Sequence, residues 1–327
     1  MKKIALGLAA LALPAIAFAQ DEPEGAPSPN QIVEEAASEE WVAIPEEDLL
    51  VMTLTPDAAG NAREVIIQLM PEPFSQGWVH NIKLLAREGW YDGISVNRVQ
   101  DNYVVQWGDP DYDNPEASGE AKPLPEGLKV MREDEYALSF MKTVDFYANS
   151  AAAEISLGPD IEPESPYSSG GYFYRGWPIG RGDVSDWPVH CYGMVGVGRG
   201  YSPDTGSGAE LYTVIGHAPR HLDRNIALVG RIIEGMEHLS SLPRGNGVLG
   251  FYAEDEFEKR TPILSIDVAS DVEGRDFEFE YLSTEGETFA RYADARANRR
   301  DPFFIVPAGG ADICNIPVPV RRVSAGD

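Results

Sequence analysis

A chain of 327 residues holds 26 basic and 53 acidic side chains, a net charge of −27. It repels polyphosphate backbones, which excludes nucleic acid as a natural partner. A hydrophobic content of 43% with 10% aromatic residues is enough for a packed core, so most of the chain is expected to fold. Two cysteines exclude a disulfide-dense mini-scaffold and a four-cysteine zinc site, and the five histidines, His80, His190, His217, His221 and His238, show no HExxH or close metal spacing.

The first 19 residues have the three parts of a secretory signal: a basic start, Met1-Lys2-Lys3, an apolar run over 4–18, and a small-residue cleavage site, Ala17-Phe18-Ala19, before Gln20. The apolar run falls short of the ~20 residues of a membrane span and no later segment approaches it. The mature protein is therefore expected to be periplasmic or secreted, without membrane insertion. Residues 20–40 are Pro, Glu, Ala, Ser and Asn with almost no large apolar side chain, and read as a disordered acidic linker.

Residues 49–55 and 64–70 are rich in Val, Ile, Leu and Thr around the turn Pro56-Asp57-Ala58-Ala59-Gly60, which predicts a hairpin. Ser75 is placed to cap a helix through Glu88, with Val79, Ile82, Leu85 and Ala86 at helical spacing and Gly89 as the stop. Residues 94–107 read as a strand ended by Gly108-Asp109-Pro110. A mixed insertion follows at about 111–189, with a helix over 134–154 and a Gly-, Tyr-, Trp- and Pro-rich stretch over 167–187 expected to run over the surface. Strands return at 192–197, 209–215, 227–229 and 263–269, with a short helix over 235–242. Beyond 270 the pattern gives a strand over 277–281, a helix over 287–300 and an extended tail over 302–320. Many short strands and few helices indicate a barrel or a sandwich.

Two blocks of sequence carry a family likeness. The first is Arg87-Glu88-Gly89-Trp90-Tyr91-Asp92-Gly93, then Val96-Asn97-Arg98-Val99 and Tyr103-Val104-Val105-Gln106-Trp107-Gly108-Asp109-Pro110. The second is Gly193-Met194-Val195-Gly196-Val197-Gly198-Arg199, then Gly206-Ser207-Gly208-Ala209-Glu210-Leu211-Tyr212, Leu222-Asp223 and Val229-Gly230-Arg231-Ile232-Ile233-Glu234-Gly235-Met236. In order and spacing the chain resembles the cyclophilins, the peptidyl-prolyl cis-trans isomerases, in an exported bacterial form. The resemblance implies a mainly β fold, a closed eight-stranded antiparallel barrel capped by two helices. Its domain spans 41–269, interrupted by the insertion, and 270–327 forms a C-terminal extension packed on the barrel.

By that resemblance Arg98 matches the catalytic arginine and Gln106 its hydrogen-bonding neighbour. Tyr103, Val104, Arg199, Glu210, Tyr212, His221 and Leu222 match positions that contact the substrate, a proline-containing polypeptide. The residue types suit the reaction. Amide resonance sets a barrier of ~18–20 kcal/mol, which falls when the prolyl nitrogen pyramidalises and a donor holds its lone pair. A guanidinium is a permanently charged fork of donors, and the pyrrolidine ring wants an apolar slot. Neither cofactor nor metal is implied.

Several matched positions depart from the family. Asn97 stands where histidine is frequent, Val96 where phenylalanine is, and Ile226 where a pocket histidine is common. Glu210 replaces a glutamine with an acceptor-only carboxylate, free to pair with Arg98 or Arg199 instead, and Tyr212 replaces a phenylalanine with a ring whose hydroxyl needs a partner. His221 falls where cyclosporin-sensitive members have tryptophan. These departures leave open a non-catalytic prolyl-peptide binding or chaperone module on the same scaffold. A carbohydrate-active protein is a third reading, on Tyr167, Tyr172, Tyr174, Trp177 and Trp187. Asp109, Asp111, Asp113 and Glu120 match positions of a calcium loop, though a strand rather than a helix precedes them, and a solvated acidic loop is the favoured reading. Cys191 and Cys314 are either bridged, fastening the extension to the barrel, or two reduced thiols.

Overall fold

The computed structural model describes residues 25–111, 117–139, 142 and 165–323. The proposed signal segment and most of the expected helix over 134–154 lie outside them. Of 134–154, what is described is part of a single 3₁₀ turn at Glu133–Glu135, a two-residue strand at Leu138–Ser139, and Lys142 in helical conformation.

In chain order the elements are α1 (Pro29–Glu34), β1 (Trp41–Ile44), β2 (Leu49–Leu54), β3 (Arg63–Leu69), α2 (Gln76–Arg87), β4 (Ser95–Val99) and β5 (Val104–Gly108). The insertion contributes β6 (Leu138–Ser139), β7 (Gly170–Tyr174), β8 (Trp177–Arg181) and β9 (Ser185–Pro188). Then come β10 (Met194–Val197), β11 (Leu211–Val214), β12 (Leu228–Glu234), α3 (Glu237–Ser240), β13 (Thr261–Val268), β14 (Phe279–Leu282), α4 (Glu287–Asn298) and β15 (Val320–Arg322).

Eight strands close into a barrel in the order β10-β11-β5-β4-β13-β2-β3-β12, and every adjacent pair is antiparallel. The expected hairpin is β2–β3, registered through Leu50↔Ile67 and Met52↔Val65. Its turn is held by Asp57, whose carboxylate accepts from the Ala59 and Asn61 amides at 2.9 and 2.8 Å. Alternate residues of β2 serve different cores. Leu50, Met52 and Leu54 fill the barrel, whereas Leu49 and Val51 face outward against Phe277, Phe279 and Tyr281 of the extension. Each such side chain removed from water contributes about 1.5–3 kcal/mol, so the extension covers an apolar face the barrel would otherwise expose.

Helix α2 buries Trp78, Val79, Ile82, Leu85 and Ala86 and packs against β13, and Gly89 stops it at φ +60°. Ser75 does not cap it. Ser75 is itself left-handed, at φ 56°, and makes no side-chain capping bond. The second cap of the barrel is the single turn α3.

Three expectations are corrected. Residues 94–107 are not one strand but the hairpin β4–β5, reversed at Asn102 with φ 50°. The linker expected to be disordered is ordered from Ser28 on: its hydroxyl accepts from the Gln31 amide at 3.3 Å while Gln31 accepts back from the Ser28 amide at 2.7 Å, a capping box. With Pro29 starting α1 and Ile32 buried beside α4, six residues gain enough contact to offset their ordering. The stretch over 167–187 is not a surface run. It forms a sheet in the order β6-β9-β8-β7, in which Tyr172, Phe173, Tyr174, Trp177 and Trp187 are all buried. Phe173 meets Phe289 of α4 edge-on at 5.0 Å. Four of the five rings that suggested carbohydrate binding are thus core, and only Tyr167 is exposed.

Cys191 and Cys314 are bridged, with an Sγ–Sγ distance of 2.01 Å, joining the residue three before β10 to the extension.

Candidate active site

The hairpin β4–β5 sets one wall of a groove. A bulge between Val96 and Arg98 leaves Arg98 directly opposite Gln106. Arg98 Nη1 donates to Gln106 Oε1 at 3.1 Å, Nε donates to the Leu249 carbonyl at 2.7 Å, and Nη2 donates to Gln100 Oε1. Its guanidinium lies 5.6 Å from the Tyr103 ring centre and 5.5 Å from that of Phe251. Burial pushes the Arg98 pKa down and the neighbouring Tyr103 and Tyr212 push it up. A guanidinium stays charged through such shifts. Of its five N–H donors three are committed, which leaves one on each terminal nitrogen for a substrate.

The floor is apolar. Val104, Tyr212 and Val214, with Tyr103, Leu222 and Ile226 against them, form a cluster separate from the barrel interior. Arg98, Tyr103, Val104, Gln106, Arg199, Tyr212 and Leu222 all line one groove of about 550 Å³. Seven of the nine expected site residues therefore converge. Arg199 shapes the far rim: Nε and Nη2 donate to the Asn225 carbonyl at 3.1 and 2.8 Å, and Nη1 to that of Gly200 at 2.7 Å.

The other two expected residues sit beside the groove. Glu210 is buried behind Gln106, whose Nε2 donates to Glu210 Oε2 at 3.4 Å, and it lines a small neighbouring recess with Asp204 and Ser207. Its carboxylate occupies the space over Gly108 that any side chain there would need. His221 is exposed and stacks on Tyr103 at 6.2 Å, so it touches the groove through that ring. Leu249, Phe251 and Tyr201 also line the groove. Tyr201 lies on a loop, and Leu249 and Phe251 in and just after a single 3₁₀ turn, where no periodicity marks them.

Asn97, the extra residue of the bulge, is buried and makes its side-chain hydrogen bonds away from Arg98: it accepts from Ser95 Oγ at 2.7 Å and donates to the Gly108 carbonyl at 3.1 Å. Of the calcium-loop residues, Asp113 lies outside the described residues. Asp109 accepts from the Asp111 amide at 3.1 Å and from the Lys122 amide, and Asp111 accepts from the Ser118 and Gly119 amides at 3.0 and 2.8 Å. Both carboxylates pin the loop to itself. Among the described residues no group of three potential ligands is placed to hold a metal ion.

Behind the floor runs a buried polar chain that the spacing of the sequence gives no sign of. His190 Nε2 meets the Tyr212 hydroxyl at 3.0 Å, and His190 Nδ1 meets Asp223 Oδ1 at 2.9 Å. Arg220 Nε donates to Asp223 Oδ2 at 2.8 Å, and Arg220 Nη1 lies 3.4 Å from Asp312 Oδ2 in the extension. Tyr212, His190, Asp223 and Arg220 are each at most 4% exposed. Burial pushes the Asp223 carboxyl up, but hydrogen bonds and charge from His190, with Arg220 behind, outweigh it and hold the pKa below the ordinary value of 3.8. Burial pushes the Tyr212 hydroxyl well above 10.0, so it is a neutral phenol.

A family model described as cyclophilin type peptidyl-prolyl cis-trans isomerase matches residues 58–268. Among solved structures the chain is similar to the cyclophilin AquaCyp293 from Hirschia baltica, at 22% identity and a TM-score of 0.60 over 89% of this chain and 99% of that one. A cyclophilin-type isomerase from Cryptosporidium parvum, crystallised in the presence of the dipeptide Ala-Pro, matches at 13% identity and a TM-score of 0.35 over 66% of this chain and 97% of that one. No curated protein matches the chain.

Proposed function

Because the chain belongs to the cyclophilin-type peptidyl-prolyl cis-trans isomerases, we propose that the groove between Arg98 and Tyr212 is its active site and that Arg98 is the principal catalytic group. The observation that carries this reading is the pairing of a half-buried guanidinium, with two donors uncommitted, and an apolar floor set apart from the barrel core.

The prolyl ring enters over Val104, Tyr212 and Leu222. One Arg98 donor anchors the carbonyl of the bond being turned. The other takes the lone pair of the prolyl nitrogen as the amide loses its planarity, a donor matched to the twisted state and idle in either planar isomer. Gln106 and the Leu249 carbonyl hold the guanidinium plane, so little ordering is left to the moment of reaction.

The substrates are X-Pro bonds of exported polypeptides, in the periplasm or outside the cell. The signal-like start and the Cys191–Cys314 bridge support an oxidising compartment. Spontaneous exchange takes tens to hundreds of seconds, long enough to delay folding there. Nucleic acid is no partner of so acidic a chain. Among the described residues no helix is long and apolar enough to cross a membrane.

The second reading, a prolyl-peptide binding or chaperone module without turnover, rests on the departures from the family pattern at Asn97, Glu210, Tyr212 and Ile226. Exchange spectroscopy on a Pro-containing peptide separates the two. Acceleration by the wild type that is lost in Arg98→Ala supports the enzyme, and binding with no acceleration supports the module.

A further inference from the structure

The hydroxyl of Tyr212 is not aimed at the prolyl ring. It lies over Gly196, its cross-strand neighbour, where any side chain would collide with it. It ends on His190. Asp223 is an acceptor and takes both the His190 amide, at 3.0 Å, and the ring at Nδ1. Nδ1 therefore carries a proton and donates to the Asp223 carboxylate, and the hydrogen bond at Nε2 is shared with the Tyr212 hydroxyl. Arg220 fixes the other oxygen of Asp223.

From Arg220 the chain of contacts passes into the extension at Asp312. Asp312 in turn accepts from the Cys314 amide at 2.8 Å, and Cys314 is bridged to Cys191, the residue after His190. His190 and Asp312 are thereby both tied to one covalent link.

We propose that His190 is a positioning residue for the prolyl groove, holding the Tyr212 ring flat in the floor and its hydroxyl away from the substrate. The extension, through Asp312 and the Cys191–Cys314 bridge, supports it. This inference rests on the reading of the groove as the substrate site. It assigns the C-terminal segment a task in substrate affinity besides covering the barrel.

The test uses the oxidised full chain and the tetrapeptide Ala-Ala-Pro-Phe, with Kd from an NMR titration and kcat from exchange spectroscopy. Loss of one hydrogen-bond partner from a buried phenol predicts that His190→Ala raises Kd about 3- to 10-fold, with kcat at saturation changed less than about twofold. In a Tyr212→Phe background the same substitution changes Kd by less than about twofold, since no hydroxyl remains to be held. Asp312→Ala removes a half-exposed side chain, leaves the folded barrel intact and raises Kd by about twofold. Should His190→Ala fail to fold, that variant and reduction of the bridge carry the test.

An equal effect of His190→Ala in both backgrounds overturns the proposal. So does an unchanged Kd in His190→Ala, or in Asp312→Ala and after reduction, while Arg98→Ala raises it; the groove reading then stands. If Arg98→Ala also leaves Kd unchanged, the peptide binds elsewhere and both fall.

Discussion

The two walls of the groove are built in different ways. Arg98 and Gln106 lie eight residues apart on one hairpin, and their meeting follows from strand pairing and a single bulge. The other wall, formed by the floor at Tyr212 and the polar chain that backs it, gathers Tyr212, His190, Asp223, Arg220 and Asp312 across separations of 22, 33, 3 and 92 residues. The first wall is held by local geometry. The second depends on tertiary packing, and on a covalent link that spans 123 residues. Perturbing the bridge therefore acts on one wall and perturbing the hairpin on the other.

The largest expected effect breaks the assembled wall. Replacing both cysteines, Cys191→Ser with Cys314→Ser, releases a 123-residue loop and lowers the free energy of unfolding by up to about 5 kcal/mol on chain-entropy grounds. Denaturant titration of the oxidised protein and the double variant reads this directly. An unchanged midpoint means that β14, β15 and α4 hold the extension by packing alone.

Next is the hairpin wall. A charge-assisted hydrogen bond contributes about 1.5–3 kcal/mol, so Arg98→Ala should lower kcat/KM about 10- to 200-fold while circular dichroism and the melting temperature stay close to wild type. Arg98→Lys should recover little of it, because the ammonium keeps the charge and loses the planar fork that reaches Gln106, Leu249 and the substrate together. A loss of less than threefold in Arg98→Ala would move the catalytic burden elsewhere in the groove.

The same contrast governs what could be read from the chain before its fold. Barrel strands, α2 and the Arg98 wall are written in short-range signals: β-branched runs, helical spacing, and two sequence blocks whose order is shared with a family. Even there, the turn inside 94–107 went unseen, because Asp101-Asn102 lacks the glycine that marks most tight reversals and Asn102 takes the left-handed conformation itself. α1 escaped because its signal is six residues long and its stability comes from α4, more than 250 residues away. The aromatic residues of the insertion gave composition without depth, since Trp177 and Trp187 look alike whether they bind a ligand or fill a core. His190 carries no local signal at all. Its partners are set by topology.

Acid should weaken the assembled wall first. The Asp223 pKa is lower in the fold than its ordinary 3.8, so the folded state binds fewer protons than the unfolded one over that interval. Its contribution is complete above pH 3.8 and is lost as the pH falls through the lower folded value. Asp223→Asn should thus be less stable than wild type at pH 6, with the gap in melting temperature closing as the pH falls below 3.8. A gap that stays constant to pH 2.5 would mean that the ionised carboxylate is not what the fold stabilises. Asp186 in the insertion has the opposite sign. Burial raises its pKa, so it stabilises most when protonated and detracts as the pH rises, which sets a second slope of opposite sign against the first.

The smallest effect lies at the back of the hairpin wall. Glu210 reaches the groove through Gln106, across a 3.4 Å hydrogen bond that is long for its type. Glu210→Gln keeps the shape over Gly108 and an acceptor oxygen for Gln106, and removes only the charge. If local geometry sets the Arg98 wall, kcat/KM should change by less than about threefold, about 0.6 kcal/mol, the low end of one ordinary hydrogen bond and fitting for so long a contact. A tenfold or larger change would show instead that the carboxylate's field reaches Arg98 through the buried interior. Its salt dependence would then decide the route: a field carried through the low-dielectric barrel is screened little between 50 mM and 500 mM salt, whereas one acting across the open groove fades within a Debye length of about 10 Å at 0.1 M.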